Sequence, residues 1–169
     1  MKLLTITKVI MICLIINQIT VVAQDLHPKQ AQNQVYLELG GLGLIYSLNY
    51  ERFLSQNFTL RAGLGVTPGL LFVDGTIFTI PISGSYLIGD GYSKLELGLG
   101  VTYLTTTDID IFGLPAGSNS LIAFDGIIGY RGGSPNGGFI FRVAFTPMYS
   151  SDFAPNFIPY GLVSFGFGF

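Results

Sequence analysis

Few residues in this chain could carry covalent or acid–base chemistry, and they lie far apart. His27 is the single histidine, so general acid–base work by an imidazole has no other candidate. It stands in the polar stretch DLHPKQAQN (25–33) and reads as an exposed leader histidine. The single cysteine, Cys13, lies in an apolar run near the start, which leaves the rest of the chain without thiol or disulfide chemistry. A transition-metal site would therefore have to be built from carboxylates. Asp108-Ile109-Asp110 has oxygen-ligand spacing, but calcium takes six to eight oxygens, and two aspartates read better as a solvated acidic loop. Gly40-Gly41-Leu42-Gly43 has the composition of a phosphate loop, which must precede a helix, and no helical period follows it. Asn57-Phe58-Thr59 matches a glycosylation acceptor by chance. These residues predict no catalytic centre, no metal and no cofactor.

The elements that would have to position such residues are unusual in composition. The chain has 169 residues, 49% hydrophobic and only 11% charged, with 23 Gly and no Trp. Soluble domains carry about 25% charged residues, so this chain lacks the charge to cover a water-facing surface. Its hydrophobicity excludes disorder, and a net charge of −2 offers no basic footprint for nucleic acid. Residues 1–23 place Lys2 and Lys8 ahead of the apolar run 9–16, then end in Val21-Val22-Ala23. That is the layout of a secretory signal peptide cleaved after Ala23, and the run is too short to span a bilayer as a helix. Ile12 before Cys13 does not fit a lipoprotein signal. The expected organisation is a signal peptide at 1–23, a flexible periplasmic leader at 24–33 and one domain at 34–169.

From Gln34 onward hydrophobicity alternates with period two, broken by Gly, Pro, Asn and Asp, as successive hairpins do. Eight strands are predicted, at 34–41, 44–53, 58–67, 76–88, 92–104, 120–131, 139–149 and 158–169. Short turns at 54–57, 89–91 and 132–138 alternate with longer connections at 68–75, 105–119 and 150–157, apart from a tight first hairpin at Leu42-Gly43. An even strand count with short turns at one end and longer loops at the other is the layout of an outer-membrane barrel.

Side-chain parity sets which face points out. Phe58, Leu60, Ala62, Leu64 and Val66 oppose Thr59, Arg61, Gly63, Gly65 and Thr67. Likewise Leu95, Leu97, Leu99, Val101 and Tyr103 oppose Lys94, Glu96, Gly98, Gly100 and Thr102. The interior of an eight-stranded barrel is just wide enough for side chains to fill it, so the small face belongs inside and the bulky face outside. A lipocalin-like barrel with an apolar interior would need the reverse. On this parity Glu38, Glu51, Arg61, Lys94, Glu96, Asp125, Arg131 and Arg142 all point inward, four acids and four bases, expected to pair and fill the lumen. A one-residue slip would turn such charges to lipid, at about 2–4 kcal/mol for each Arg or Lys at the midplane. The tyrosines, Tyr36 among them, are expected toward strand ends at headgroup depth. Pro81 should require a bulge, and Ile127 should point into the lumen.

The segments ELGGLGLIYSLNYERF (38–53), ELGLG (96–100) and IGYR (128–131) resemble small outer-membrane β-barrel proteins of Bacteroidetes-type bacteria. The final VSFGFGF (163–169) resembles the signal read by the barrel-assembly machinery, with Phe165, Phe167 and Phe169 at its outward positions. The resemblance implies an all-β, eight-stranded antiparallel up-and-down transmembrane barrel in the bacterial outer membrane. Its partners would be outer-membrane lipid, the assembly machinery during biogenesis, and an extracellular ligand or envelope component at the loops. Some barrels of this size act on lipopolysaccharide through a His near the outer rim, a place that His27 does not occupy. The expected function is structural or interactive through the outer loops, without catalysis. A narrow pore for water, ions or small solutes and a lipid-modifying enzyme are the alternatives.

Overall fold

The computed structural model describes residues 31–68, 76–107, 120–152 and 155–169. The expected signal segment with Ala23, the expected leader as far as residue 30 with His27, and the Asp108/Asp110 pair lie outside the described residues; the last residues of that leader are part of the barrel rather than flexible, with Ala31 buried, Gln32 O accepting from Phe53 N and Asn33 in the first strand. The strands are β1 (Asn33–Gly40), β2 (Tyr46–Phe53), β3 (Phe58–Thr67), β4 (Thr76–Ile88), β5 (Ser93–Thr107), β6 (Ser120–Gly133), β7 (Gly138–Phe145), β8 (Met148–Tyr149), β9 (Phe157–Ile158) and β10 (Gly161–Gly168). Each pairs antiparallel with its neighbours, β5 with β6 and β10 with β1 included.

The ten segments make eight barrel strands. β7 and β8 are one strand interrupted at Thr146 and Pro147, since Ile128 faces Phe145 and Asp125 faces Met148 in one unbroken register. Similarly, β9 and β10 are one strand interrupted at Pro159 and Tyr160. Prolines lack the N–H that a ladder needs, so the pairing stops there and resumes. The result is a closed eight-stranded antiparallel up-and-down barrel.

Closure carries a stagger. Rungs followed from Val35 through Tyr50, Ala62, Ile82, Val101, Phe124 and Tyr149 end on Phe157. The direct partner of Val35 on the last strand is Phe167, ten residues further along. A stagger of this kind tilts the strands by about 35–45° and fixes the bore of the barrel. One end carries the short turns at 54–57, 89–92 and 134–137 together with the seam where Asn33 and Phe169 exchange backbone hydrogen bonds of 3.0 and 2.8 Å. This is the turn end, and the opposite one is the loop end.

Three expectations need correction. Pro81 produces no bulge: Ala62 faces Ile82 and Gly65 faces Thr79 in the same register, and the ladder merely skips Gly63 and Leu64. A missing donor opens one rung and requires no extra residue. The first connection is no tight hairpin, because β2 starts at Tyr46 rather than 44 and residues Gly41–Gly43 form a 3-10 turn buried inside the barrel. Tyr36 is buried in the lumen instead of lying at a strand end on the wall, as its shared parity with Glu38 dictates. Seven other tyrosines (46, 50, 86, 92, 103, 130 and 149) are exposed on the outside.

The wall and the lumen invert the usual order of a soluble protein. Leu37, Leu64 and Leu99 are 63, 67 and 77% exposed, and the same outward apolar surface continues through Phe124, Phe139, Phe165 and Phe167. Phe139 and Phe165 stack at 6.2 Å across the β7–β10 pair. Inside are Ser47, Asn49, Thr59, Thr79, Ser83, Thr102 and Ser164 with Glu38, Glu51, Arg61, Glu96, Asp125, Arg131 and Arg142, all buried, while Lys94 is half-buried. Among the described residues no helix is long and apolar enough to cross a membrane.

Candidate functional site

The chemistry-bearing side chains of the described chain converge in the lumen. Six of the eight inward charges form one ion-paired cluster nearer the turn end. Arg142 (β7) grips Glu96 (β5) through two bonds, Nε to Oε2 at 2.9 Å and Nη2 to Oε1 at 2.6 Å. Its Nη1 also lies 3.9 Å from both Glu38 and Glu51. Arg131 (β6) donates to Glu51 (β2) at 2.7 and 3.0 Å, to Glu96 at 3.3 Å and to Gln34 at 3.1 Å. Arg61 (β3) donates to Glu38 (β1) at 2.8 Å and to Ser83 at 2.8 Å. Tyr36 completes the set, its hydroxyl donating to Glu51 at 2.7 Å while its ring lies 4.9 Å from the Arg142 guanidinium carbon. Three carboxylates and three guanidiniums balance, and their bidentate geometry is what makes burial of such charges tolerable.

Lys94 and Asp125 stand apart from this cluster. Lys94 sits at the turn-end mouth with its ammonium 5.9 Å from the centroid of the Phe53 ring. Asp125 is buried nearer the loop end, where Thr102 Oγ1 donates to it at 2.7 Å. The picture of four acids pairing four bases is therefore corrected to three and three. Parity places a residue on the inner face but says nothing of its height along the barrel, and height separates these two from the rest.

Above the cluster the lumen is filled by the chain's own first turn. Leu42, fully buried, packs with Ile127, Ala144 and Leu162, and Ile127 takes the inward place expected of it. Leu44 joins Ile77, Leu104, Leu121, Ala123 and Met148 in a second apolar group nearer the loop end. The turn is tied by Thr79 Oγ1 to Gly43 O at 3.3 Å and by Ile45 N to Thr67 Oγ1 at 3.1 Å. Leu44 has φ +66°, the sole positive φ of a non-glycine among the described residues, a strained setting for a side chain of that size.

Two glycines make this inward fold possible. A Cβ on Gly65 would collide with Thr79 Oγ1 and come within 2.7 Å of Gly43 O, and one on Gly100 would meet Leu42 Cδ2 at 3.0 Å. Their missing side chains are the space that the turn occupies. The sequence signals lumen glycines on β3 and β5 but not what fills the room they leave. Tyr36, Gln34, Ser83 and Leu42 are the lumen partners that residue-type reasoning missed; parity alone could have found the first three.

The described chain contains neither His nor Cys. No group of three or more His, Cys, Asp or Glu within it could hold a metal ion. The interlocked arginines and carboxylates, with the Ser83 and Tyr36 hydroxyls bonded into the set, tie the strands together across the lumen.

No protein-family model and no curated protein matches the chain. Its fold is that of solved outer-membrane barrels. The N-terminal β-barrel domain of Pseudomonas aeruginosa OprF superposes with a TM-score of 0.67 at 13% identity, over 83% of this chain and 98% of that one. Ail, the attachment invasion locus protein of Yersinia pestis, solved with the heparin analogue sucrose octasulfate, covers 80% of this chain and 94% of its own at 12% identity and a TM-score of 0.39.

Proposed function

We propose that this protein spans a bacterial outer membrane as a closed barrel and serves as a structural or interaction protein through its outer loops, without catalysing a reaction. The observation that carries the reading is the inverted surface: bulky apolar side chains cover the outside while the arginines and carboxylates are enclosed. An apolar surface of that extent aggregates in water and is stable against lipid, where a closed barrel leaves no unpaired edge. The loop end then faces outward and the turn end faces the periplasm. Within outer-membrane barrels, ELGGLGLIYSLNYERF (38–53) sides with the Bacteroidetes type.

The lumen reads as a brace and a stopper. The ion-paired cluster links six strands, and the inward turn fills the bore above it. Loops on a rigid scaffold commonly carry binding, so a ligand or envelope component would meet 68–75, 105–119 and 150–157. The test is fractionation of cells expressing the full chain, followed by gels of unheated and boiled samples. Recovery in the outer membrane with a mobility change on boiling is expected. A soluble periplasmic or secreted product would overturn the reading, and single-channel conductance of the purified protein in planar bilayers would overturn the stopper.

A further inference from the structure

We propose that the turn-end mouth of the lumen is a binding site for a carboxylate group. Gln34, Phe53, Leu87, Lys94, Arg131 and Ser134 are among the residues that line an opening there whose cavity volume is about 20 Å³, room for about one water-sized group. A space of that size admits one oxygen of a small polar head, with the rest of the group in the open mouth.

The lining is cationic and incompletely used. Lys94 and Arg131 face each other across the β5–β6 pair, an arrangement of like charges that costs stability. Arg131 spends its two terminal nitrogens on Glu51, Glu96 and Gln34, while its Nε is buried with no partner. Among the described residues Lys94 has no carboxylate within ion-pair distance and rests on the Phe53 ring; the acid that acts on it, Asp90, is exposed in the adjoining turn. A carboxylate has two acceptor oxygens in one plane. One would take the Arg131 Nε–H and the other a Lys94 N–H, relieving both the repulsion and the orphaned donor.

The experiment uses the full barrel refolded in an uncharged detergent at constant ionic strength, with NMR observation of the Arg131 Nε–H and the Gly133 amide. Acetate, inorganic phosphate and chloride are the probes. Saturable shifts with acetate are expected, weaker with phosphate and absent with chloride. Lys94→Gln should weaken acetate about tenfold and Lys94→Arg should keep it, both variants retaining the heat-dependent gel shift of the folded barrel. Responses that follow ionic strength alone, an unchanged Lys94→Gln, or tighter binding of phosphate than acetate would each overturn the assignment.

Discussion

Replacing Arg142 by methionine tests whether the ion-paired cluster is a single charge-balanced unit. Arg142 is 1% exposed and holds both oxygens of Glu96 at 2.6 and 2.9 Å. Arg142→Met leaves three buried carboxylates, on Glu38, Glu51 and Glu96, facing only Arg61 and Arg131. The uncompensated charge should cost about 3–5 kcal/mol. Adding Glu96→Gln restores two acids against two bases, so the double variant should be more stable than the single one. The assay is urea unfolding of the refolded barrel in detergent or lipid, followed by circular dichroism and by the mobility of unheated samples. A loss under about 1 kcal/mol for Arg142→Met, the value of an exposed pair, would refute the reasoning. So would a double variant less stable than the single one.

Four further outcomes are expected. Gly65→Val drives a side chain into Thr79 and the inward turn and should cost at least about 2 kcal/mol or abolish closure, read as loss of the heat-dependent gel shift. Gly161→Ala, whose Cβ would meet only Ala144 O at 3.7 Å, should leave that shift intact. Leu99→Arg, on the outer wall at 77% exposure, should lose about 2–4 kcal/mol in a bilayer if it lies near the midplane, measured by denaturant titration of the barrel in vesicles. Deleting 108–119 should leave the gel shift intact while reducing binding of cells to whatever surface the loops contact, scored by adhesion of expressing and non-expressing cells.

How far the sequence alone reaches is clearest strand by strand. Phe58–Thr67 and Thr76–Ile88 coincide with the predicted limits because their outward positions are mostly apolar and Asn57, Pro68, Gly75 and Gly89 stand at their ends. The broken seventh and eighth strands were predicted as continuous, which the register supports, although Pro147 and Pro159 divide the hydrogen bonding. Parity put Glu38, Glu51, Arg61, Glu96, Arg131 and Arg142 on one inner face. It could not foresee that Lys94 and Asp125 lie at other heights, because period two carries no information about stagger. The inward turn was illegible for a different reason. GGLGL reads as a flexible hairpin, and only the three-dimensional meeting of Gly65, Gly100 and Leu42 gives it somewhere to go.

The seam between β1 and β10 has a consequence for how the barrel is made. Gln34 pairs with Gly168 and Gly40 with Leu162, so the contacts that seal the barrel join its first strand to its last. Arg131 and Glu51 are likewise 80 residues apart in sequence. Contacts of such separation form slowly, since loop-closure entropy is lost before they contribute. Until the last strand arrives, β1 offers a bare edge and the apolar wall has no bilayer around it, which is the state most prone to aggregate. On the membrane reading proposed above, a chain of this design has to meet a bilayer before it meets another copy of itself.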